Sequence, residues 1–193
     1  MKKLLLITVL ALVSNISFAD DVTDSINKAL KSYKNGEYSE AITNLDFAAQ
    51  LVRQKKSSSL GDYLPAPLSG WKAKDIESQA VGGAMMGGMV SAAREYTKGN
   101  SVVNINVMTD SPLLQTMMMF VSNPMMASAS GMKVKKISGH NAIIEYKANS
   151  KSGNLHVVIN GKVLVTVNGS SVALADIEKY AAAVDYKKIE SMK

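Results

Sequence analysis

Apolar residues recur with a helical period between residues 22 and 55 and fall into two runs. On the first run the shared face is formed by Val22, Ile26, Leu30 and Tyr33. On the second run it is formed by Ala41, Leu45, Ala48 and Val52. Asn35-Gly36 between the runs is a typical turn pair. The pattern predicts an α-helical hairpin over residues 20–56.

After residue 70 the period of the apolar residues changes from 3.6 to 2. Residues 57–69 hold serines, Gly61, Pro65 and Pro67, a composition that predicts a linker. The alternating pattern predicts strands over 71–80, 89–97, 101–108, 133–137, 141–148, 155–159 and 162–167. Helices are predicted over 113–121, after Ser111-Pro112, and from Leu174 to Val184, with a last turn ending at Ile189.

This order of elements predicts an α+β domain over residues 70–193. Its antiparallel sheet of about six to seven strands has a crossing helix and a C-terminal helix. Asn160-Gly161 is the sharpest local signal and predicts a two-residue hairpin turn. With that turn, Ile159 opposes Lys162 and His156 opposes Val165. Both faces of the hairpin would then be apolar and would need cover. The final helix is expected on one face, and the 112–121 helix or the N-terminal hairpin on the other.

The first 19 residues have the layout of a cleaved secretory signal. Lys2-Lys3 precede an apolar run over residues 4–13, and Ser17-Phe18-Ala19 places small residues at the cleavage positions. The run is too short to span a bilayer, and no cysteine follows it to take a lipid anchor. We expect a soluble periplasmic protein without a transmembrane segment after cleavage.

Composition excludes much common chemistry. The chain has no cysteine and two histidines, His140 and His156, which have no sequence neighbour at ligand spacing. Known hydrolase and zinc-peptidase motifs do not occur. The net charge of +6 includes the two leader lysines, so nucleic acid is not an expected partner. The sequence therefore predicts no enzyme activity, no cofactor and no metal site of the His or Cys type.

Two resemblances add to these expectations. Ala29, Tyr33, Gly36, Tyr38, Ala41, Leu45 and Ala48 resemble the core positions of one tetratricopeptide repeat. A single repeat cannot form a solenoid, so we expect the hairpin either to pack on the main domain or to self-associate.

The main domain resembles the PsbP-like proteins at Gly70-Trp71, 139–142 and 177–180. It is also similar to an uncharacterised group of exported bacterial proteins, through Gly70-Trp71, 94–96, 110–114 and 122–124. PsbP-like domains are mostly accessory binding modules, and the resemblance implies that role at the level of the fold only.

Ten of the twelve methionines lie between Met85 and Met132. Three interpretations of these methionines remain open: adaptable packing in the core, an adaptable apolar contact surface, and a thioether site for Cu(I). Three consecutive methionines on a helix point about 100° apart, so they cannot converge on one ion. The glycine-rich segment 82–88 is expected to be a loop between strands or one that presents methionines to a partner. The contact surface is predicted at Met85, Met86, Met89, Met117, Met118 and Met119.

The sequence thus predicts a non-catalytic, exported binding or accessory protein. Its partner would be an envelope protein or an apolar surface, with self-association through the hairpin as a further expectation. The alternative is a methionine-based Cu(I)-handling protein.

Overall fold

The computed structural model describes residues 18–81 and 88–192. Residues 1–17 of the predicted signal sequence (residues 1–19) and the segment 82–87 lie outside the described residues, and residues 18 and 19 of that sequence are helical. The chain divides into two compact units, residues 1–51 and 52–193.

The first unit contains a helical hairpin, as predicted. Helix α1 spans Phe18–Lys34 and α2 spans Tyr38–Gly61, with Gly36 at φ +79° in the turn between them; the residues of α2 after Leu51 belong to the second unit. A positive φ costs a glycine nothing because it has no Cβ. The buried side chains of this unit are all small: Ser25, Ala29, Ser32, Ala41 and Ala48.

Helix α2 continues beyond the residue at which its end was predicted. Residues 57–61, expected to be linker, are helical. The hydroxyls of Ser58 and Ser59 donate to the carbonyls of Gln54 and Lys55, four residues earlier, which makes serine compatible with a helix. Ser57 is 1% exposed, and its Oγ lies 2.7 Å from the carbonyl oxygen of Ser91. Composition alone does not reveal that neighbour.

The second unit is an α+β domain whose eight described strands form one antiparallel sheet. The strands are β1 Lys72–Ala73, β2 Glu77–Ala80, β3 Val90–Lys98, β4 Ser101–Thr109, β5 Lys133–Ile137, β6 His140–Lys147, β7 Ser152–Ile159 and β8 Val163–Ser170. Their order across the sheet is β1-β3-β4-β8-β7-β6-β5, and β2 pairs separately with β3. The strand predicted over 71–80 is therefore two short strands.

Four further helices lie after β4 in the described chain: α3 Pro112–Ser122, α4 Pro124–Ala129, α5 Leu174–Ala182 and α6 Tyr186–Glu190. Ser111 caps α3 as predicted, accepting a hydrogen bond from the Leu113 amide. Asn123 ends α3 and caps α4, a short helix that its Pro124 opens and that the sequence pattern did not indicate. Asp185 caps α6 through the Lys188 amide, so the predicted last turn is confirmed.

Helix α5 covers one face of the sheet, and the main core lies beneath it. The ring of Tyr180 packs edge-on against Trp71 at a centroid distance of 5.2 Å and beside Tyr96 at 4.5 Å. The Tyr96 hydroxyl donates to the Pro65 carbonyl at 2.7 Å, which fixes the segment between α2 and β1. The face is otherwise filled by fully buried aliphatic side chains of β4, β7 and β8, among them Val103, Ile105, Val107, Leu155, Val157, Val165 and Val167.

Helix α3 covers part of the opposite face, as one of the two predicted arrangements required. Leu114 and Met117 of α3 pack on Ile143 of β6 and Leu164 of β8. Partly buried Met108, Met118, Phe120, Val121, Met132 and Val158 surround this second cluster. We call the two sides of the sheet the α5 face and the α3 face.

The predicted register of the β7–β8 hairpin is wrong by one residue. The connection has three residues: Ile159 pairs with Val163, Val157 with Val165, and His156 with Thr166. Asn160 and Gly161 both have positive φ, as the turn type requires, but Lys162 belongs to the connection rather than to the strand. A one-residue slip moves every side chain of a strand to the other face. With the correct pairing, the α5 face is apolar and the α3 face is mixed.

Candidate functional site

The methionines of the predicted contact surface have different surroundings. Met117 is 5% exposed and belongs to the cluster beneath α3, and Met118 is partly buried beside it. Met119 is 58% exposed, in keeping with the 100° step between helical neighbours. Met89 is partly buried just before β3, and Met85 and Met86 lie outside the described residues. The structure therefore brings Met117 and Met118 together and leaves Met119 facing away from them.

These positions bear on the chemistry that the thioethers can perform. Met117 fills space among aliphatic side chains, the adaptable packing for which methionine is suited. A Cu(I) ion bound there would need that side chain to leave its cluster. Among residues 18–81 and 88–192, no group of three His, Cys, Asp or Glu side chains is placed to hold a metal ion. The contact surface and the Cu(I) site both stay predictions.

A second candidate surface lies on the helical hairpin. Each of the two helices has a stripe of three large apolar side chains that are about half exposed, at 48–63%. They are Ile26, Leu30 and Tyr33 on α1, and Tyr38, Ile42 and Leu45 on α2. On each helix their spacing of four and three residues places them on one face. The rings of Tyr33 and Tyr38 lie 5.8 Å apart across the turn and join the two stripes. We call these six residues the hairpin stripe.

The hairpin stripe is exposed because small residues occupy the buried positions of this unit. Leu45, predicted on a shared face with Ala41 and Ala48, is 52% exposed, whereas both alanines are 4% exposed. The large apolar residues are thus left at the flank of the hairpin. Surfaces of this kind commonly mark interaction sites. The hairpin also has six acidic and three basic residues between Asp20 and Leu51.

A third candidate surface is a line of polar side chains across the α3 face. Register pairing aligns one residue from each of five neighbouring strands, in the order Glu95, Asn104, Asn168, Asn154 and Glu145. Their chain neighbours Ile105, Val167 and Leu155 point to the α5 core, so all five lie on the other side of the sheet. We call these five residues the polar row. Its members are half-buried apart from Asn168, which is exposed.

The next line of residues towards α3 contains Asn106, Thr166 and His156. His156 Nδ1 lies 3.0 Å from the Thr166 hydroxyl. Burial lowers the pKa of His156, and the nearby Glu145 carboxylate opposes that shift. The side-chain oxygen of Asn106 is buried and has no hydrogen-bond partner among the described residues. An unpaired buried acceptor is uncommon and is usually met by water or a ligand.

His140 lies in an open cleft of about 460 Å³ with Tyr186 and Glu190. Its Nε2 is 3.6 Å from a Glu190 carboxylate oxygen, and its ring lies 4.9 Å from that of Tyr186. The Tyr186 hydroxyl donates to the Ala181 carbonyl at 2.7 Å, and burial raises the pKa of the phenol. A phenol held in this way is neither a nucleophile nor an acid at neutral pH. The cluster fixes α6 to the β5–β6 turn.

The polar row was missed in the sequence because it depends on pairing between strands. Asn104 and Asn106 alternate with Val103 and Ile105, which indicates that one face of this strand is polar. Asn154 and Asn168 join them only when β7 and β8 pair in the correct register. An unusual frequency of asparagine within strand segments was the available signal, since asparagine is depleted in strands.

The fold places this chain in the α+β class, with an antiparallel sheet and a helical hairpin. No family model matches this chain, and comparison with curated proteins and with solved structures gave no match. No helix within the described part of the chain is both long and apolar enough to cross a membrane.

Proposed function

We propose that this protein is an exported binding protein that works by contact rather than by catalysis. We further propose that the hairpin stripe docks on the same stripe of a second copy. The observation that carries the proposal is the exposure of six large apolar side chains on one surface of the hairpin. A monomeric protein gains nothing from leaving such residues in water, where the exposed half of each side chain forgoes roughly 1 kcal/mol of burial.

The partner that best fits the hairpin stripe is a second copy of this chain. Hairpins of the tetratricopeptide type bury their faces against neighbouring hairpins, and the sequence of this hairpin resembles one copy of that type. Another copy brings an identical stripe, so a two-fold symmetric contact pairs Leu30 and Ile42 of each chain with apolar partners. The tyrosine pair at the turn, Tyr33 and Tyr38, adds aromatic area to the centre of the contact.

Export is supported by the basic, apolar and small-residue order of the first 19 residues. The predicted kinship with PsbP-like proteins, which serve mostly as accessory binding modules, agrees with a role without catalysis. The half-buried positions of Met89 and Met118 leave the predicted methionine surface as a further contact region. Met119 is the member of that region with the greatest exposure among the described residues.

Sedimentation velocity over a range of concentrations tests the docking. The native protein without residues 1–19 should form a dimer that dissociates on dilution. Leu30→Lys with Ile42→Lys should weaken association at least tenfold, because two charges would enter an apolar contact. The matched control is Asn27→Lys with Thr43→Lys, which adds the same charge to exposed positions on the same helices. A native protein that stays monomeric, or a control that dissociates equally, contradicts the proposal.

A further inference from the structure

The polar row is unusual because of the residues that form it. Asn104, Asn168 and Asn154 lie side by side on β4, β8 and β7, each of which has a neighbouring strand on both sides. Strand interiors favour β-branched and aromatic residues, and asparagine is among the least favourable choices. Residues that are unfavourable for their secondary structure, and that gain no stabilising contact in exchange, are expected mainly at functional sites.

The asparagine amides of the row are available to a ligand. Within residues 18–81 and 88–192, no hydrogen bond holds the side chains of Asn104, Asn154 or Asn168. Each amide offers two N–H donors and one carbonyl acceptor. One line further in, the Asn106 oxygen is buried and unpaired, an independent sign that this face awaits a donor. Backbone groups of these strands are already paired, so a ligand would contact side chains rather than extend the sheet.

The charges at the ends of the row are balanced. Glu95 pairs with Lys74 at 2.7 Å, and Glu145 lies 3.9 Å from the Lys147 ammonium. The two carboxylates are four strand spacings apart, about 19 Å, which is too far for one metal ion. Between them the row consists of three uncharged amides, and in the next line burial lowers the pKa of His156, which favours its neutral form. The surface therefore has no excess cation for a phosphate and no cluster of acids for a basic peptide.

We propose that the polar row binds a neutral, hydroxyl-rich chain such as an oligosaccharide. Sugar hydroxyls donate and accept hydrogen bonds at once, which matches a line of amides that do the same. The terminal carboxylates of Glu95 and Glu145 accept from hydroxyls at either end. Asn106 and Thr166 occupy the next line of the sheet, on the side of the row towards α3. The length of the row, about 19 Å, accommodates several sugar rings.

Nuclear magnetic resonance with ¹⁵N-labelled protein tests the site directly, because side-chain amides give their own signals. The probes are neutral hexasaccharides of glucose and of N-acetylglucosamine, with hexaglutamate as the charged control. At about 10 mM, a Kd in the millimolar range still moves signals measurably. One of the hexasaccharides should shift the amide signals of Asn104, Asn154 and Asn168, and hexaglutamate should not. Absence of shifts in the row with both hexasaccharides overturns the proposal.

Two variants separate binding from folding. Asn154→Ala with Asn168→Ala should lower the affinity for the hexasaccharide at least tenfold, whereas Asn27→Ala on the hairpin should leave it unchanged. Asn168→Thr places a better strand former at an exposed position and should raise Tm while it weakens binding. A fall in Tm for Asn168→Thr would assign the asparagine a structural role and contradict the proposal. Unchanged affinity in the Asn154→Ala, Asn168→Ala variant would also contradict the proposal.

Discussion

On the α5 face of the sheet the central side chains are aliphatic or aromatic and fully buried. On the α3 face the same strands carry an apolar patch beneath the helix and a polar row beyond it. Ile105 and Asn104 are chain neighbours, yet one is 0% exposed and the other is half-buried in a line of amides. Alternation along the strand allows this division. The α5 face contains the larger core and the α3 face the smaller one, so we expect the polar row to contribute little to the stability of the fold.

Loss of an aromatic ring from the α5 face is expected to have the largest effect. Tyr180→Ala removes a fully buried ring that packs on Trp71 and Tyr96, and leaves a cavity. We expect the free energy of unfolding to fall by about 4 kcal/mol. Asn154→Ala, on the polar row, should change it by less than about 0.5 kcal/mol. Urea unfolding measures both, and equal losses would contradict the division between the two faces.

The apolar patch beneath α3 gives the next largest effect and distinguishes packing from metal binding. Met117→Ala should cost about 3 kcal/mol, since it opens a cavity beside Leu114, Ile143 and Leu164. Met117→Leu conserves volume and should cost less than about 1.5 kcal/mol. The same urea titrations decide the outcome.

A competition titration with Cu(I) then tests the alternative function. If Met117 is core filler, Met117→Leu leaves any affinity for Cu(I) unchanged. A loss of affinity in that variant, with stability retained, would instead show that the thioether is a ligand.

The extent to which the sequence predicted this division can be judged from particular elements. Local signals located α3 after Ser111-Pro112, strand β5 and the last turn that ends at Ile189, because the chemistry of each lies within a few neighbouring residues. The register of β7 and β8 was wrong because Asn160-Gly161 accommodates loops of two or three residues. The polar row depends on that register, so it could not be assembled before the pairing was known.

The exposure of the hairpin stripe had a different cause. Periodicity identifies a face that shares a direction, but it does not say which of two adjacent faces is buried. Ala29 and Ala41 take the buried positions, and Leu30 and Ile42, one residue on, are left half exposed. Small side chains allow close approach of helices, which the large ones would prevent. Hydrophobicity alone does not indicate that the alanines, rather than the larger residues beside them, are the ones that are buried.

A smaller effect is expected from the close contact between α5 and the sheet. A Cβ on Gly169 would clash with Ile177 Cδ1 and come within 2.6 Å of Val172 Cγ1. We expect Gly169→Ala to cost about 2 kcal/mol through overpacking. Ile177→Val removes the clashing methyl group, so the double variant should lose less than the sum of the two single changes. Thermal unfolding measures this coupling, and simple additivity would contradict the contact.

The smallest effect is a dependence of stability on pH that arises on the α3 face. Burial lowers the pKa of His156 in the folded state below its unfolded value of about 6.5. Below that pH the unfolded chain binds a proton that the folded chain does not. The free energy of unfolding therefore falls as pH decreases from about 6.5, by at most about 1.4 kcal/mol per pH unit, until the folded-state pKa is reached. Above about pH 6.5 this contribution is constant.

Urea unfolding between about pH 5 and 7 measures that slope. His156→Gln should flatten it, because the group that titrates differently in the two states is gone. Glu145→Gln should leave the slope in place and extend it to lower pH, since the carboxylate is what partly restores the pKa of His156. A hydroxyl-bearing ligand on the adjacent polar row would bury His156 further and lower its pKa again. The pH at which the slope ends should then decrease when the hexasaccharide is present. If neither Glu145→Gln nor the hexasaccharide alters that pH, His156 is not coupled electrostatically to the polar row.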